Sequence, residues 1–349
     1  MRIRAGLIAL AVVALLSAHV HAVELVVMGR NSTIGRAIDA FNAAMAEQGR
    51  DVRATFIYED ATHERLLVMH ASGTAPDVVS LDLIQGPKVY RIGVFAPLDR
   101  YLQDVSWLDE LSPGMSQLGF WRGQTMMIPF FSDNSALFVN LQRLAESGFA
   151  EEPPATWDEL IEIAKKTTSA EEDRYGMEAL PKWGGGGYMF LWMPFVWSNG
   201  GRLLDDDGTR SLINSPEAED ALRLWHDLRN VHGVTRPSGS QFAQGKDTFE
   251  LSGNWGVANL KNNFPDLRWT VRLMPTRLPG QQPSSFVGGD LVGITEQSQH
   301  KDLAWELVKF LLSEEVQVDL FAANGIIPVR RDFMMNEYFQ AEPRYFVFA

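Results

Sequence analysis

A strand–helix–strand–helix–strand rhythm beginning at residue 24 constrains this chain more than any other feature. Glu24 to Met28 (ELVVM) is a short buried-strand pattern. Thr33 to Ala46 then sets Ile34, Ile38, Phe41 and Met45 at helical spacing, with Ser32 or Thr33 as cap. Val52, Ala54, Phe56 and Tyr58 alternate as a strand does, Ala61 to Ala71 is helix-like, and Pro76 to Val79 opens a third strand. Such a βαβαβ succession predicts an α/β fold, a mostly parallel sheet with helices on its faces. At 349 residues the chain is too long for one ordinary core, so two lobes are expected.

The middle is more helical. Thr156 and Glu159 make a capping box ahead of Leu160, Ile161 and Ala164. Ser215-Pro216 starts a helix whose Leu222, Trp225, Leu228 and Val231 are expected along one buried stripe. Asp290 to Ile294 reads as a strand, and His300 to Leu312 and Ser313 to Ala323 as two helices, the second closed by Asn324-Gly325. No repeat, low-complexity tract or Pro-rich linker separates the halves, so the chain is expected to cross between lobes more than once.

The first residues carry Arg2 and Arg4, a 14-residue apolar run from Ala5 to Ala18, and, in Val20-His21-Ala22, small residues at the two positions a signal peptidase inspects. That is the pattern of a cleavable export signal over residues 1–22, and it is short for a membrane span of about 20 residues. The mature chain would start near Val23 with 327 residues, and losing both arginines takes its charge from −13 to −15. No cysteine is present, so a lipid cannot be attached at a processing site, and a free periplasmic protein is expected.

Composition excludes much chemistry. The excess of 44 acidic over 31 basic residues argues against nucleic-acid binding, which needs a basic footprint. Zero cysteine removes disulfides, iron–sulfur ligation and thiol nucleophiles. There is no GxSxG, HExxH or GxxxxGK[ST]. Gly184 to Gly187 lacks the Lys-Ser/Thr of a phosphate cradle and reads as a flexible loop; Asp205 to Gly208 reads as a solvated turn, since no calcium-closing Glu follows. His63, His70, His226, His232 and His300 show no metal-ligand spacing. No cofactor or metal is expected. Paired carboxylates, abundant in any acidic chain, leave an exported glycoside hydrolase as an alternative.

Aromatic residues are plentiful beside turns. Trp183 precedes the glycine run, Trp192 and Trp197 lie in YMFLWMPFVWSNGG, and Trp255 follows Gly-Asn in SGNWG. Flat rings cover the apolar face of a sugar, while Asp, Asn and Arg bond its hydroxyl rim. Trp225 and Trp305 sit on helical stripes and read as core; Trp255 is the better ligand candidate.

Several patterns then follow in a recognisable order: ASGTAPDVV (71–79), GVFAPLD (93–99), IPFFSDN (128–134), PPATWDEL (153–160), WSNGG (197–201), GNW (253–255) and GGD (288–290). In this order the chain resembles the extracellular solute-binding proteins of carbohydrate ABC importers, the maltose- and trehalose-binding type, from about Val23 to Arg331. The resemblance implies a two-lobed clamshell, with residues 23–132 plus 284–331 as first lobe and 133–283 plus 332–349 as second. It implies a monomer that closes on a neutral sugar, a di- or oligosaccharide, and presents it to membrane permease subunits without chemical change. A binding protein for a glycerol phosphodiester or another anionic solute is the alternative within transport, and a sensor or adhesion role is a third.

Site positions carry over where the motifs match. Asp82 matches a carboxylate that accepts sugar hydroxyls, and Phe131 and Asp133 an aromatic and acidic pair at the first interlobe crossing. Trp255 matches a stacking ring, and Gly289 and Asp290 a turn that reaches the ligand. Asn31 and Asp60 follow the first two strands, Trp183 adds a ring, and Arg330 in IPVRRD is a candidate for a ring hydroxyl, with a surface arginine as the alternative. Met28 stands where many relatives carry an aromatic, which would make one wall less suited to stacking. The chain also stops at Ala349, where relatives usually continue, implying a reduced second lobe or a fragment.

Overall fold

The computed structural model describes residues 23–179 and 185–348. The export-signal segment and Trp183 lie outside the described residues.

The opening rhythm folds as its periodicity dictates. Strand β1 (Val23–Gly29), helix α1 (Thr33–Glu47), β2 (Val52–Tyr58), α2 (Thr62–Ala71) and β3 (Val78–Asp82) follow in order. Ile34, Ile38, Phe41 and Met45 are all buried under α1. The cap of α1 differs from expectation: Asn31 Oδ1 accepts the Thr33 amide at 2.9 Å, and Ser32 makes no side-chain cap bond. β1 pairs in parallel with both β2 and β3.

Next comes the 13-residue strand β4 (Ile128–Asn140). Helix α3 (Trp157–Thr167) begins at the expected capping box, with Glu159 N bonded to Thr156 Oγ1. β5 (Tyr175–Met177), α4 (Gly185–Leu191), α5 (Met193–Ser198) and α6 (Pro216–His226) follow. The chain then adds β6 (Asp247–Gly253), α7 (Trp255–Asn263), β7 (Trp269–Arg272), β8 (Val287–Ile294) and α8 (Lys301–Leu311).

β4 belongs to two sheets. Its first half pairs with β8, which pairs with β3, giving the order β2-β1-β3-β8-β4 in which only β8 runs against the others. Its second half pairs with β6 and β7, and β5 lies parallel on β6; here β4 itself runs against its neighbours. Each sheet is thus mostly parallel in direction, with a single opposed strand, as the βαβαβ rhythm predicts. Pro129, which cannot donate to the ladder, sits at a register shift between β4 and β8.

Among the described residues, three apolar clusters follow this division. The largest gathers Leu25, Val27, Ile34, Phe41, Phe130, Leu307 and Phe321. A second packs Trp157, Leu160, Phe195, Trp225 and Phe249, and a third Phe138, Trp269, Phe339, Tyr345 and Phe348. β4 feeds all three: Phe131 goes to the first, Leu137 to the second, Phe138 to the third. Between its ends lies Ser132-Asp133-Asn134-Ser135, a polar stretch in an apolar strand. Its buried groups are satisfied by polar groups from elsewhere: Asn254 Oδ1 accepts the Asn134 amide at 3.0 Å, and Ser135 Oγ accepts the Phe286 backbone amide at 3.0 Å. The strand therefore passes from one core to the others through a hydrogen-bonded polar knot.

Two local readings are corrected. On α6 and the wider-wound turn after it, Leu222 and Val231 are 60% and 64% exposed. Trp225 and Leu228 are buried as expected, but they continue a stripe of Ala218, Ala221 and Leu224 that leaves Leu222 to one side, and the change of winding at Asp227 rotates Val231 outward. The glycines Gly185 to Gly187 open helix α4 instead of forming a loop. In the segment 313–323, residues Glu315–Phe321 wind with i→i+5 geometry before a tight turn that Gly325 closes at φ +76°. Among the described residues, no helix is long and apolar enough to cross a membrane.

Candidate functional site

Ligand crevices in open α/β sheets lie at the C-terminal ends of strands. Here the ends of β1 and β3, the middle of β4 and the start of β8 converge, and they bring Arg30, Asp82, Asp133 and Gly289 to the floor of one cavity of about 200 Å³. Across it stand Gly186, Gly187 and Phe190 of α4, Trp255 at the head of α7, and Phe286 just before β8.

The floor is an ion cluster. Arg30 Nε donates to Asp290 Oδ1 at 2.7 Å, and its Nη2 lies 3.4 Å from both Asp82 Oδ2 and Asp133 Oδ2. Asp290 is fully buried and also accepts from Ser80 Oγ at 2.6 Å. Asp82 Oδ1 accepts the Ile84 amide at 3.1 Å, which fixes the other carboxylate oxygen towards Arg30. Burial works against the Arg30 charge, yet the carboxylates of Asp290, Asp82 and Asp133 hold its pKa well above the ordinary arginine range. Burial likewise pushes the Asp133 carboxyl up to about 6, against the pull of Arg30 and aided by Asp290 and Asp82. Asp290 is raised for the same reason, with Arg30 and Ser80 opposing.

The wall is aromatic. Trp255 stacks on Phe190 at 5.3 Å and 24°, Phe190 meets Phe286 at 5.5 Å, and Phe286 stacks on Trp197 at 6.1 Å and 18°. Trp255 is 46% exposed, so this ladder ends in an open ring edge and face. A Cβ on Gly253 would lie 2.2 Å from the indole, so only glycine lets the ring fold back over the strand end. Carboxylates on one side and a half-exposed ring on the other are the two halves of a polyol-recognition surface.

Of the residues expected at the site, Asp82, Asp133, Trp255 and Gly289 line the cavity. Asp290 lies beneath it and acts through Arg30. The other described residues are placed elsewhere. The Phe131 ring is buried in the first core against Phe130 and Phe321. Asn31 spends its side-chain oxygen on the cap of α1. Asp60 is exposed and accepts from the Tyr58 hydroxyl at 2.5 Å. Arg330 pairs with Asp332 and lies 4.0 Å over the Phe333 ring. Met28 is fully buried and forms no wall. Arg30, Phe190 and Phe286 were not legible as site residues, although Arg30 follows the first strand end, the place where such crevices form.

The family of bacterial extracellular solute-binding proteins matches residues 36–347. The chain belongs to that family. The maltotriose-binding protein of Pyrococcus abyssi is 23% identical over 302 residues, covering 84% of this chain and 63% of its own length. The diacetylchitobiose binding protein DasA of Streptomyces coelicolor is 22% identical over 78% of this chain and 65% of its own. The chain thus spans less than two thirds of the length of these relatives. In structure it is similar to the cyclic alpha-maltosyl-1,6-maltose binding protein of Arthrobacter globiformis, with TM-score 0.80, 24% identity, and 93% and 85% of the two chains covered. This likeness bears out the α/β, two-lobed solute-binding fold, and the family is one of extracellular binding proteins.

Proposed function

We propose that this solute-binding protein captures a neutral sugar, a di- or oligosaccharide, in the periplasm and delivers it unaltered, as a monomer, to the permease of an ABC importer. One observation carries the reading: a half-exposed indole, Trp255, faces the carboxylates of Asp82 and Asp133 across a single cavity. The sugar-binding relatives support it. Residues 23–132 with 284–331 and 133–283 with 332–349 would act as the two lobes, turning about the polar knot of β4. Arg30, Asp82 and Gly289 then belong to one lobe and Trp255 with Phe190 to the other, with Asp133 at the crossing between them, so ligand contacts are complete only on closure, and ligand shifts the population towards the closed form.

A thermal-shift screen against a carbohydrate panel tests this. A sugar held at 100 times its Kd should add about 2.7 kcal/mol of stability. No shift with any neutral sugar would overturn the reading, and so would release of shorter products from an oligosaccharide, which a binder returns intact.

Two predictions concern the floor. Asp82→Ala should weaken sugar binding by about 1–3 kcal/mol, because ligand hydroxyls lose an acceptor in a partly desolvated site; isothermal calorimetry checks it. The second concerns pH. Hydroxyl donors bond the ionised form of Asp133, so ligand lowers its pKa and binding releases a proton. Affinity should therefore climb as pH rises through about 6 and level off above it. The ligand-free protein shows the opposite slope from this group. A folded pKa above the ordinary 3.8 means that its contribution to stability is present below that value and lost as pH rises through about 6. Asp133→Asn should flatten both profiles, and unchanged slopes would remove Asp133 from the site.

A further inference from the structure

We propose that Arg30 sets the charge class of the ligand: it is a cation already saturated by carboxylates, which turns Asp82 and Asp133 into the cleft as acceptors for uncharged hydroxyls and leaves no free charge for an anion. The proposal rests on reading this cavity as the ligand site.

An arginine lining a binding cavity ordinarily argues for an anionic ligand. Here the surroundings reverse that reading. Asp290 holds Nε from below at 2.7 Å and is itself fixed by Ser80, so it cannot swing away. Asp82 and Asp133 flank the Nη2 edge at 3.4 Å each. Three carboxylates around one guanidinium leave the cluster with an excess of negative charge. Among the described residues the wall opposite supplies no compensation, since Gly186, Gly187, Met189, Phe190, Trp255 and Phe286 are all uncharged. A phosphate or carboxylate approaching Arg30 would have to lie beside two like charges in a partly desolvated site, where repulsion is screened less than in water. A hydroxyl meets the reverse situation: it donates to either aspartate in a charge-assisted bond. Arg30 is therefore a positioning residue. Its planar fork reaches carboxylates from β3, β4 and β8 together, which the point charge of a lysine does less well.

The groups facing Asp133 are Arg30 at the end of β1, Asp82 at the end of β3 and Asp290 in β8. Removing the cation should leave the three acids to repel one another. The test has a ligand-free arm and a ligand arm. In the first, the side-chain carboxyl carbon of Asp133 is titrated by NMR in the wild type, Arg30→Gln and Arg30→Lys. The expected result is a midpoint raised by at least one pH unit in Arg30→Gln and by less in Arg30→Lys. An unchanged midpoint in both overturns the positioning role; should Arg30→Gln not fold, Arg30→Lys alone decides, by a rise or none. In the second arm, glucuronate and inorganic phosphate are added at constant ionic strength and thermal unfolding is followed. The wild type should show no shift at 10 mM, while Asp82→Asn combined with Asp133→Asn should gain at least a tenfold tighter response to glucuronate. Stabilisation of the wild type by either anion, or no gain in the double variant, overturns the charge-class assignment. Failure of every neutral sugar in the panel would instead strike the function proposed above, and both arms here would still be readable.

Discussion

Trp255→Ala should weaken sugar binding by about 2 kcal/mol or more, roughly 30-fold, the loss typical of a central aromatic anchor. It should lower folding stability by only about 1 kcal/mol, the transfer free energy of its buried half. The two expectations differ because the ring stands half in solvent. At 46% exposure it is only half-buried in the free protein, where its packed face rests on Phe190 and on the backbone of Gly253. Nearly half of its surface is therefore still available for a ligand. Trp225→Phe is the matched control. Trp225 is buried in the second core, so its substitution should lower stability and leave affinity alone. Calorimetry with the tightest sugar of the panel reads the first effect, and urea unfolding reads the second. If Trp255→Ala binds as tightly as the wild type, the aromatic ladder is a packing feature and the sugar sits elsewhere.

What the sequence reveals and what it hides divide along the range of the interactions. The βαβαβ opening, the capping box at Thr156 and the turn at Gly325 depend on residues a few positions apart, and periodicity reads them directly. Asp82, Asp133, Trp255 and Gly289 were reachable because each sits in or just after a short motif whose order along the chain is itself informative. Arg30 has no such motif. Its partners lie 103 and 260 residues away for Asp133 and Asp290, and only the sheet order β1-β3-β8-β4 brings them together. Phe131 misleads for a different reason. Strict alternation along β4 would point Phe130 and Phe131 to opposite faces, but the register shift beside Pro129 lets both rings reach the first core. Asn31 shows that the loop after β1 was the correct place to look, one residue from the side chain that enters the cavity.

Gly289→Ala should destabilise the protein by about 2–6 kcal/mol. Gly289 has φ +122°, a conformation that strains an L-residue by about 1–3 kcal/mol. A Cβ there would also lie 2.1 Å from the Phe131 carbonyl oxygen and 2.8 Å from Ser132 Cα. These are backbone atoms of a central strand, paired at this register with Gly289 and Asp290, so neither side can yield cheaply. Overpacking adds about 1–3 kcal/mol. Gly280→Ala separates the two effects. Gly280 has φ +82° with nothing within 4 Å of the added carbon, so it should lose only about 1–2 kcal/mol, from backbone strain alone. Urea unfolding of both variants gives the difference, and near-equal losses would show that β4 can give way at the site. The displacement has a chemical consequence too. Asp290 follows directly in the chain and anchors Arg30, so forcing β8 away from β4 should loosen the ion cluster. The Gly289→Ala protein that remains folded should accordingly bind sugar more weakly, while Gly280→Ala, in an exposed turn, should bind as the wild type does.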